Sequence, residues 1–471
     1  MSKNTIGVLG IGAALILLVS LRWPIIVVPV AGIAVVAGIL WTAQFTRNHT
    51  KWLILPLLLN EALSSVNIID DSIRPILRYS MLALFCVPML MTAFRSGALG
   101  KGGFRLYMIY FVWGAVTILY SIYPFYSAGR VASAALLFTS VVAITSNVAD
   151  EDEIYELIGV FWIGSAIIMV MLAVALVAFP ADLSWKLDDN GMVRFSGLFN
   201  SPNQVGEVVL TTVSSALVYW PAASKRTRWL ILLSILAALG FDALADSRSP
   251  FIALVVGVLL LAIDKYRMRA VVVAAALLFV GLLISKEMTG SEYVSRGEVT
   301  TLTGRTEIWK YVVHAIRERP LTGWGYEVEG QIFQNHDFPL WEEIWDQGPR
   351  SSLHNGYLSR AVGVGIPATL LWLFIVARAL GFSLFDSKAP RVLHTAAIVG
   401  AVPIMITNMV ESTAGDCRYS VGLLLALIWA LSEYSRLRTV EEKAGRANSP
   451  ISGLAALRGP VEAVGPRLEP L

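Results

Sequence analysis

The stretch SSLHNGYLSRAVGVGIP, residues 351–367, sets His354 and Asn355 directly before an apolar run of membrane-span length. An imidazole, with an ordinary pKa of about 6.5, is suited to taking up a proton near neutral pH. Three arginines stand in comparable places: Arg194 in NGMVRFSGLFNSPNQVGE, Arg248 in ADSRSP and Arg305 in LTGRTEIW. Guanidinium groups stay charged and grip phosphate through paired hydrogen bonds. A charge near the bilayer centre costs about 2.5–3.5 kcal/mol on insertion scales, so bases near membrane depth commonly line a polar cavity or pair with an anion. The four residues, with Asn203 nearby in sequence to Arg194, could converge on one pocket.

The elements that must position them are membrane spans. The chain has 471 residues, 56% hydrophobic and 15% charged, with a mean hydropathy of +0.65. Soluble domains carry about 25% charged residues, so this is a polytopic membrane protein. Its net charge of +3, from 37 basic and 34 acidic residues, is too small to imply nucleic acid as a partner. Cys86 and Cys417 have no metal-binding spacing. Spans of roughly 17–25 apolar residues are expected at about 5–21, 24–41, 52–66, 76–93, 104–122, 130–147, 154–179, 204–220, 229–244, 250–265, 269–285, 356–380, 393–410 and 418–434. The N-terminal run has no small-residue cleavage pattern and reads as a retained first span.

The fold class is therefore all-α, an integral membrane bundle of about 12–14 helices. Its divisions are 1–285 (N-terminal spans), 286–355 (a long loop with an amphipathic helix), 356–434 (C-terminal spans) and 435–471 (a disordered tail). With the N-terminus inside, RSGALGKGGFR, SKRTR, DKYRMR, DSKAPR and the tail all fall on the cytoplasmic side, as the positive-inside rule requires. Arg194, Arg248, Arg305 and His354 then lie outside, against that bias. In the long loop, Ile308, Trp309, Val312, Val313 and Ile316 follow helical spacing, and Pro320 follows the helix end. Such an apolar face predicts a helix resting on the membrane domain.

Simpler roles exist for each base. Arg194 fits an ordinary loop residue, Arg248 a snorkelling interfacial base, Arg305 a helix-terminal partner of Glu307, and His354 an interfacial cap. Asp70 and Asp71 form an outside acidic doublet that could hold a divalent cation. The intramembrane acids Glu207, Asp242 and Asp246 could serve an ion pathway.

Four segments, RFSGLFNSPNQVGE, DSRSPFIAL, LTGRTEIWKYVVHAIRERPLTGWGYE and LHNGYLSRAVGVGIPATLLWL, occur in the order found in the O-antigen ligase and polymerase superfamily. Together they cover roughly a fifth of the chain, which most resembles the exopolysaccharide polymerases of that superfamily. The resemblance implies a glycosyltransferase of the bacterial inner membrane, acting on the periplasmic face without a nucleotide sugar; the lack of an outside acidic cluster with good ligand spacing points to a reaction without metal or cofactor. Its donor would be a glycan on undecaprenyl diphosphate, and its acceptor a second lipid-linked glycan or lipid A core. A flippase and a chain-length regulator would be its companions. Carried over by position, the family's essential arginines match Arg194, Arg248 and Arg305 and its histidine matches His354. The residues themselves add Asn203 and Asn355 as hydrogen-bonding groups and Trp324 and Tyr357 as aromatic faces that could bind substrate, with Arg194, Arg248 and His354 as the catalytic set. One departure is FNSPN, where many members place a histidine and a lysine before the asparagine.

The chemistry fits these residues. Breaking the bond between an anomeric carbon and a diphosphate oxygen builds negative charge that arginines can meet, while histidine takes the acceptor hydroxyl's proton. Polymerisation is the first expectation and ligation to lipid A core the alternative. A metal-dependent protein glycosyltransferase using Asp70 and Asp71, a secondary transporter of an anionic solute, and an accessory subunit stand as rivals.

Overall fold

In hydrocarbon a backbone must satisfy its own polar groups, so apolar runs of span length coil into helices. The computed structural model describes residues 50–63, 73–187, 193–266, 305–334, 353–412 and 419–447. In chain order these hold α1 (Ile54–Leu63), α2 (Ile73–Arg95), α3 (Gly102–Thr117), α4 (Pro124–Ser146), α5 (Glu151–Ala178), the strands β1 (Trp185–Leu187) and β2 (Val193–Phe195), α6 (Pro202–Tyr219), α7 (Lys225–Ala245) and α8 (Arg248–Tyr266). There follow α9 (Arg305–Glu318), α10 (Glu329–Gln334), α11 (Gly356–Phe385), α12 (Arg391–Ala396), α13 (Val402–Thr407) and α14 (Tyr419–Ala447). Among the described residues six helices are long and apolar enough to cross a bilayer: α2, α4, α5, α7, α11 and α14. Each coincides with an expected span, so the all-α membrane architecture is as the sequence implies.

Differences lie in shorter elements. Of the span expected at 52–66, residues 54–63 form α1 and 64–66 lie outside the described residues. The span expected at 393–410 is divided, with a π-helical segment Ala397–Ala401 between α12 and α13. The loop 180–203 contains an antiparallel hairpin in which Trp185 faces Phe195 and Lys186 faces Arg194. Expected spans at 5–21, 24–41 and 269–285 lie outside the described residues; of the tail expected to be disordered over 435–471, residues 435–447 continue α14 as helix and the rest lie outside them.

The core runs between the helices and is built on aromatic contacts. Tyr107 of α3 stacks on Phe138 of α4 with centroids 4.3 Å apart and meets Trp429 of α14 edge-on at 5.1 Å. On the outside of α7, Trp229, Leu230, Leu233 and Leu236 are exposed, a face suited to lipid.

The helix α11 is broken where the sequence predicts one continuous span. Gly365 adopts φ 82°, ψ 168° inside it, and Pro367 follows. Such a break frees backbone groups that hydrocarbon cannot satisfy. Here the chain after α9 supplies partners: Trp324 N donates to Val362 O at 2.8 Å, Gly325 N to Gly363 O at 3.0 Å, and Ile366 N to Pro320 O at 2.8 Å. Trp113 Nε1 donates to Val364 O at 2.9 Å. A Cβ at Gly323 would collide with the Gly363 carbonyl, and one at Gly365 with the Leu321 carbonyl. The glycines of LTGWGY and GVGIP thus let two backbones interlock.

This interlock fixes α9 against the membrane domain. Ile308, Val312 and Ile316 pack with Ala361 and Val362 of α11, while His314 stays on the wet face, 3.1 Å from Glu318. Gly365→Val strains a positive-φ position at a cost of about 1–3 kcal/mol before the collision is counted. The expected result is a clearly lower Tm in detergent and proteolysis within residues 305–334; an unchanged Tm would contradict the interlock.

Candidate functional site

The buried carboxylate of Glu411, in the turn after α13, draws together three distant stretches of chain. It is 4% exposed. Its Oε1 accepts from Asn203 Nδ2 at 2.9 Å and from Arg305 Nη2 at 2.7 Å. Its Oε2 lies 3.0 Å from His354 Nδ1. Burial alone would raise its pKa, but the hydrogen bond and charge of His354 and those of Arg305 overcome burial and hold it below the ordinary 4.5. A carboxylate held ionised can only accept. The proton of a neutral His354 is therefore on Nδ1, which leaves Nε2 as the acceptor.

The backbone of His354-Asn355-Gly356 explains how the imidazole is placed. His354 takes a left-handed φ of 48°, uncommon for a residue with a side chain. Asn355 caps α11, its side chain accepting from Tyr357 N at 3.1 Å and Leu358 N at 3.0 Å, the usual duty of an N-cap residue. Gly356 N donates to Asn408 O at 2.9 Å and Glu411 O at 3.1 Å. A Cβ there would run into the Asn408 side chain.

Arg194 is placed by the β-hairpin at the C-terminal end of α7. Its Nε donates to Ala245 O at 2.8 Å and its Nη2 to Asp246 O at 2.9 Å, satisfying carbonyls that a helix leaves open at its end. The same Nη2 lies 3.1 Å from Asn203 Oδ1. Asn203 therefore links Arg194 to Glu411. Arg248, at the start of α8, has Nε 3.6 Å from Asp246 Oδ1 and a side chain 37% exposed.

A cavity of about 400 Å³ opens beside this network. Its wall includes Asn203, Glu207, His354 and Glu411 together with Tyr126, Arg130, Glu327 and Glu329. Arg130 donates to Tyr126 OH at 2.6 Å and lies 3.7 Å from Glu327.

The structure brings together Arg194, Asn203, Arg305 and His354 and sets Arg248 beside Asp246. Of the expected site residues only Asn203 and His354 are on the cavity wall; Arg194, Arg248 and Arg305 stand behind or beside it, and Asn355, Trp324 and Tyr357 are not on it either. Asn355 is occupied as a cap. Trp324 donates Nε1 to Ala315 O at 2.9 Å and carries the Arg319 guanidinium 4.0 Å from its ring centre. Tyr357 donates its hydroxyl to Met405 O at 2.7 Å. Glu411 is absent from the residues singled out by sequence, since ESTAGDCR reads as a solvated loop. Among the described residues no three His, Cys, Asp or Glu side chains group to hold a metal; Asp70 and Asp71 lie outside them.

Residues 229–373 match the protein family described as O-Antigen ligase. The chain is also 28% identical, over 212 residues, to an O-antigen ligase of Pseudomonas aeruginosa, a match covering 44% of this chain and 48% of that protein. The chain thus spans about half the length of the curated relative it matches. Both findings support the O-antigen ligase and polymerase superfamily.

Because the folded pKa of Glu411 is lowered, the stability it contributes is complete above the ordinary carboxylate value and is lost as pH falls through the lower folded value. Removing one member of a buried ionic network costs about 3–5 kcal/mol. Glu411→Gln is expected to lower Tm markedly at pH 7, with the gap to wild type closing only below the ordinary carboxylate range. Thermal unfolding of both proteins across pH checks this, and a gap independent of pH would contradict it.

Proposed function

Starting from that superfamily, we propose that this chain is a glycan-transferring enzyme that lengthens a polyprenyl-diphosphate-linked glycan at the periplasmic face of the bacterial inner membrane. The observation that carries the reading is His354, held by Glu411 at 3.0 Å through Nδ1 on the wall of a polar cavity. An acceptor hydroxyl attacks the anomeric carbon and the bond to the diphosphate oxygen breaks. The hydroxyl proton passes to His354 Nε2, and the imidazolium formed is stabilised by Glu411. Attack opposite the leaving group inverts the anomeric centre.

The departing diphosphate needs cations. Arg248, the more exposed of the arginines near the site, offers a guanidinium to its oxygens, and Arg194 fixes the turn from which Arg248 emerges. Arg305, bonded to Glu411, holds the long loop over the site and keeps a positive charge nearby. Charge supplied in this way needs no metal, and the proposed transfer continues in chelator.

Ligation to lipid A core uses the same donor bond and is the second reading, favoured by the name of the relative in Pseudomonas aeruginosa. The acceptor separates the two. Purified protein in nanodiscs, given a defined undecaprenyl-diphosphate oligosaccharide in chelator, is expected to make a ladder of longer lipid-linked glycans. His354→Ala should lose roughly 10²–10⁴ of the rate, and Arg248→Ala about 10²–10³. Transfer only when lipid A core is added would establish the ligase, and no transfer to either acceptor would overturn the enzymatic reading.

A further inference from the structure

Glu207 has no place in the mechanism above. It lies on α6, four residues beyond Asn203, so it is about one turn, ~6 Å, further along the same face. It is 3% exposed, yet it belongs to the wall of the cavity. On that wall it is close enough to Glu411 for the two to repel, and within a membrane domain acids on a cavity wall mark binding sites or pathways.

The charge of the surrounding wall narrows what binds there. The wall carries four acids, Glu207, Glu327, Glu329 and Glu411, and two bases, Arg130 and His354. Glu411 is satisfied by Asn203, Arg305 and His354; Arg130 is held by Glu327 through Nε and by Tyr126 through Nη2, with Nη1 left as a donor. An excess of carboxyl groups disfavours a phosphate or a uronate on this side and leaves the diphosphate to Arg248. A ring bearing neighbouring hydroxyls suits it, because hydroxyls donate to carboxyl oxygens in pairs. The volume of about 400 Å³ is within the range of small-molecule sites.

We propose that Glu207 is a substrate-binding residue that receives the hydroxyls of an uncharged sugar ring in the glycan subsite of this cavity. The assignment rests on the glycan-transferase reading and deepens it. The proton taken from the attacking hydroxyl still goes to His354; Glu207 holds the ring and takes no part in bond breaking.

The test uses the full-length protein in nanodiscs, with lipid-linked oligosaccharide extracted from membranes of the source bacterium as substrate. Steady-state kinetics and Tm are measured for wild type, Glu207→Gln and Glu207→Leu. Gln keeps hydrogen-bonding capacity and is expected to hold kcat/KM within about threefold of wild type. Leu is expected to lower kcat/KM by about tenfold or more, mainly through KM, the loss that a charged-group hydrogen bond predicts. Its Tm should be equal to or above that of wild type, because a carboxyl withdrawn from bulk water is replaced by an apolar side chain. If Glu207→Leu does not accumulate, Glu207→Ala replaces it with the same expectation for KM. Wild-type kcat and KM in the Leu or Ala variant would overturn this assignment while leaving the transferase reading intact. No transfer by the wild-type protein would overturn the transferase reading itself.

Discussion

A carboxylate withdrawn from water must be surrounded by donors, and Glu411 gathers its donors from three separate parts of the chain. Asn203 comes from the start of α6, Arg305 from the start of α9, and His354 from the residue before the cap of α11. Removing any one would leave charge or a hydrogen bond uncompensated in a poorly solvated place. The network therefore does more than hold a histidine. It fixes the tautomer of the imidazole, anchors the long loop through Arg305, and reaches Arg194 and the end of α7 through Asn203. A similar device stands elsewhere in the bundle, where buried Glu433 accepts from Arg378, Arg436 and Gly103 N.

The second constraint is the break in α11. A helix inside a bilayer tolerates a break only if neighbours take up the freed groups. The segment after α9 does so with its own backbone, and Tyr326 N donates to Thr117 Oγ1 at 3.0 Å to hold the next turn. The described segment 305–334 is thereby mounted on the membrane domain at two places, at Glu411 through Arg305 and at the α11 break through residues 320–325. A loop fixed at two points keeps Arg305 and Glu327 at fixed positions beside the cavity, which preorganised chemistry requires.

Much of the framework was legible in the sequence because membrane burial imposes a simple rule on length and hydropathy. The six long apolar helices and the amphipathic α9 follow from that rule. Arg194, Asn203, Arg305 and His354 were legible as polar residues at span ends, where charge is costly without a purpose. Glu411 was not, since an acid in a short polar turn carries no local sign of burial, and its partners lie 57 to 208 residues away. Asn355, Trp324 and Tyr357 were read as contacts for sugar because aromatic and amide groups suit that task. The structure gives them the equally suitable tasks of capping and bonding backbone. The break at Gly365 was hidden because GVGIP is apolar enough to continue a span; only the fold shows what satisfies the freed carbonyls.

The central claim is that His354 and Glu411 act as one unit. A double-mutant cycle in the glycan-transfer assay, with His354→Ala, Glu411→Gln and the pair, tests it most directly. If the carboxylate works chiefly through the imidazole, the loss in the double variant falls well short of the product of the two single losses, and what remains beyond His354→Ala is the share of Arg305 and Asn203, which Glu411 also holds. Losses that multiply, so that the double variant is slower by the product of both single effects, would show two independent contributions and contradict the account.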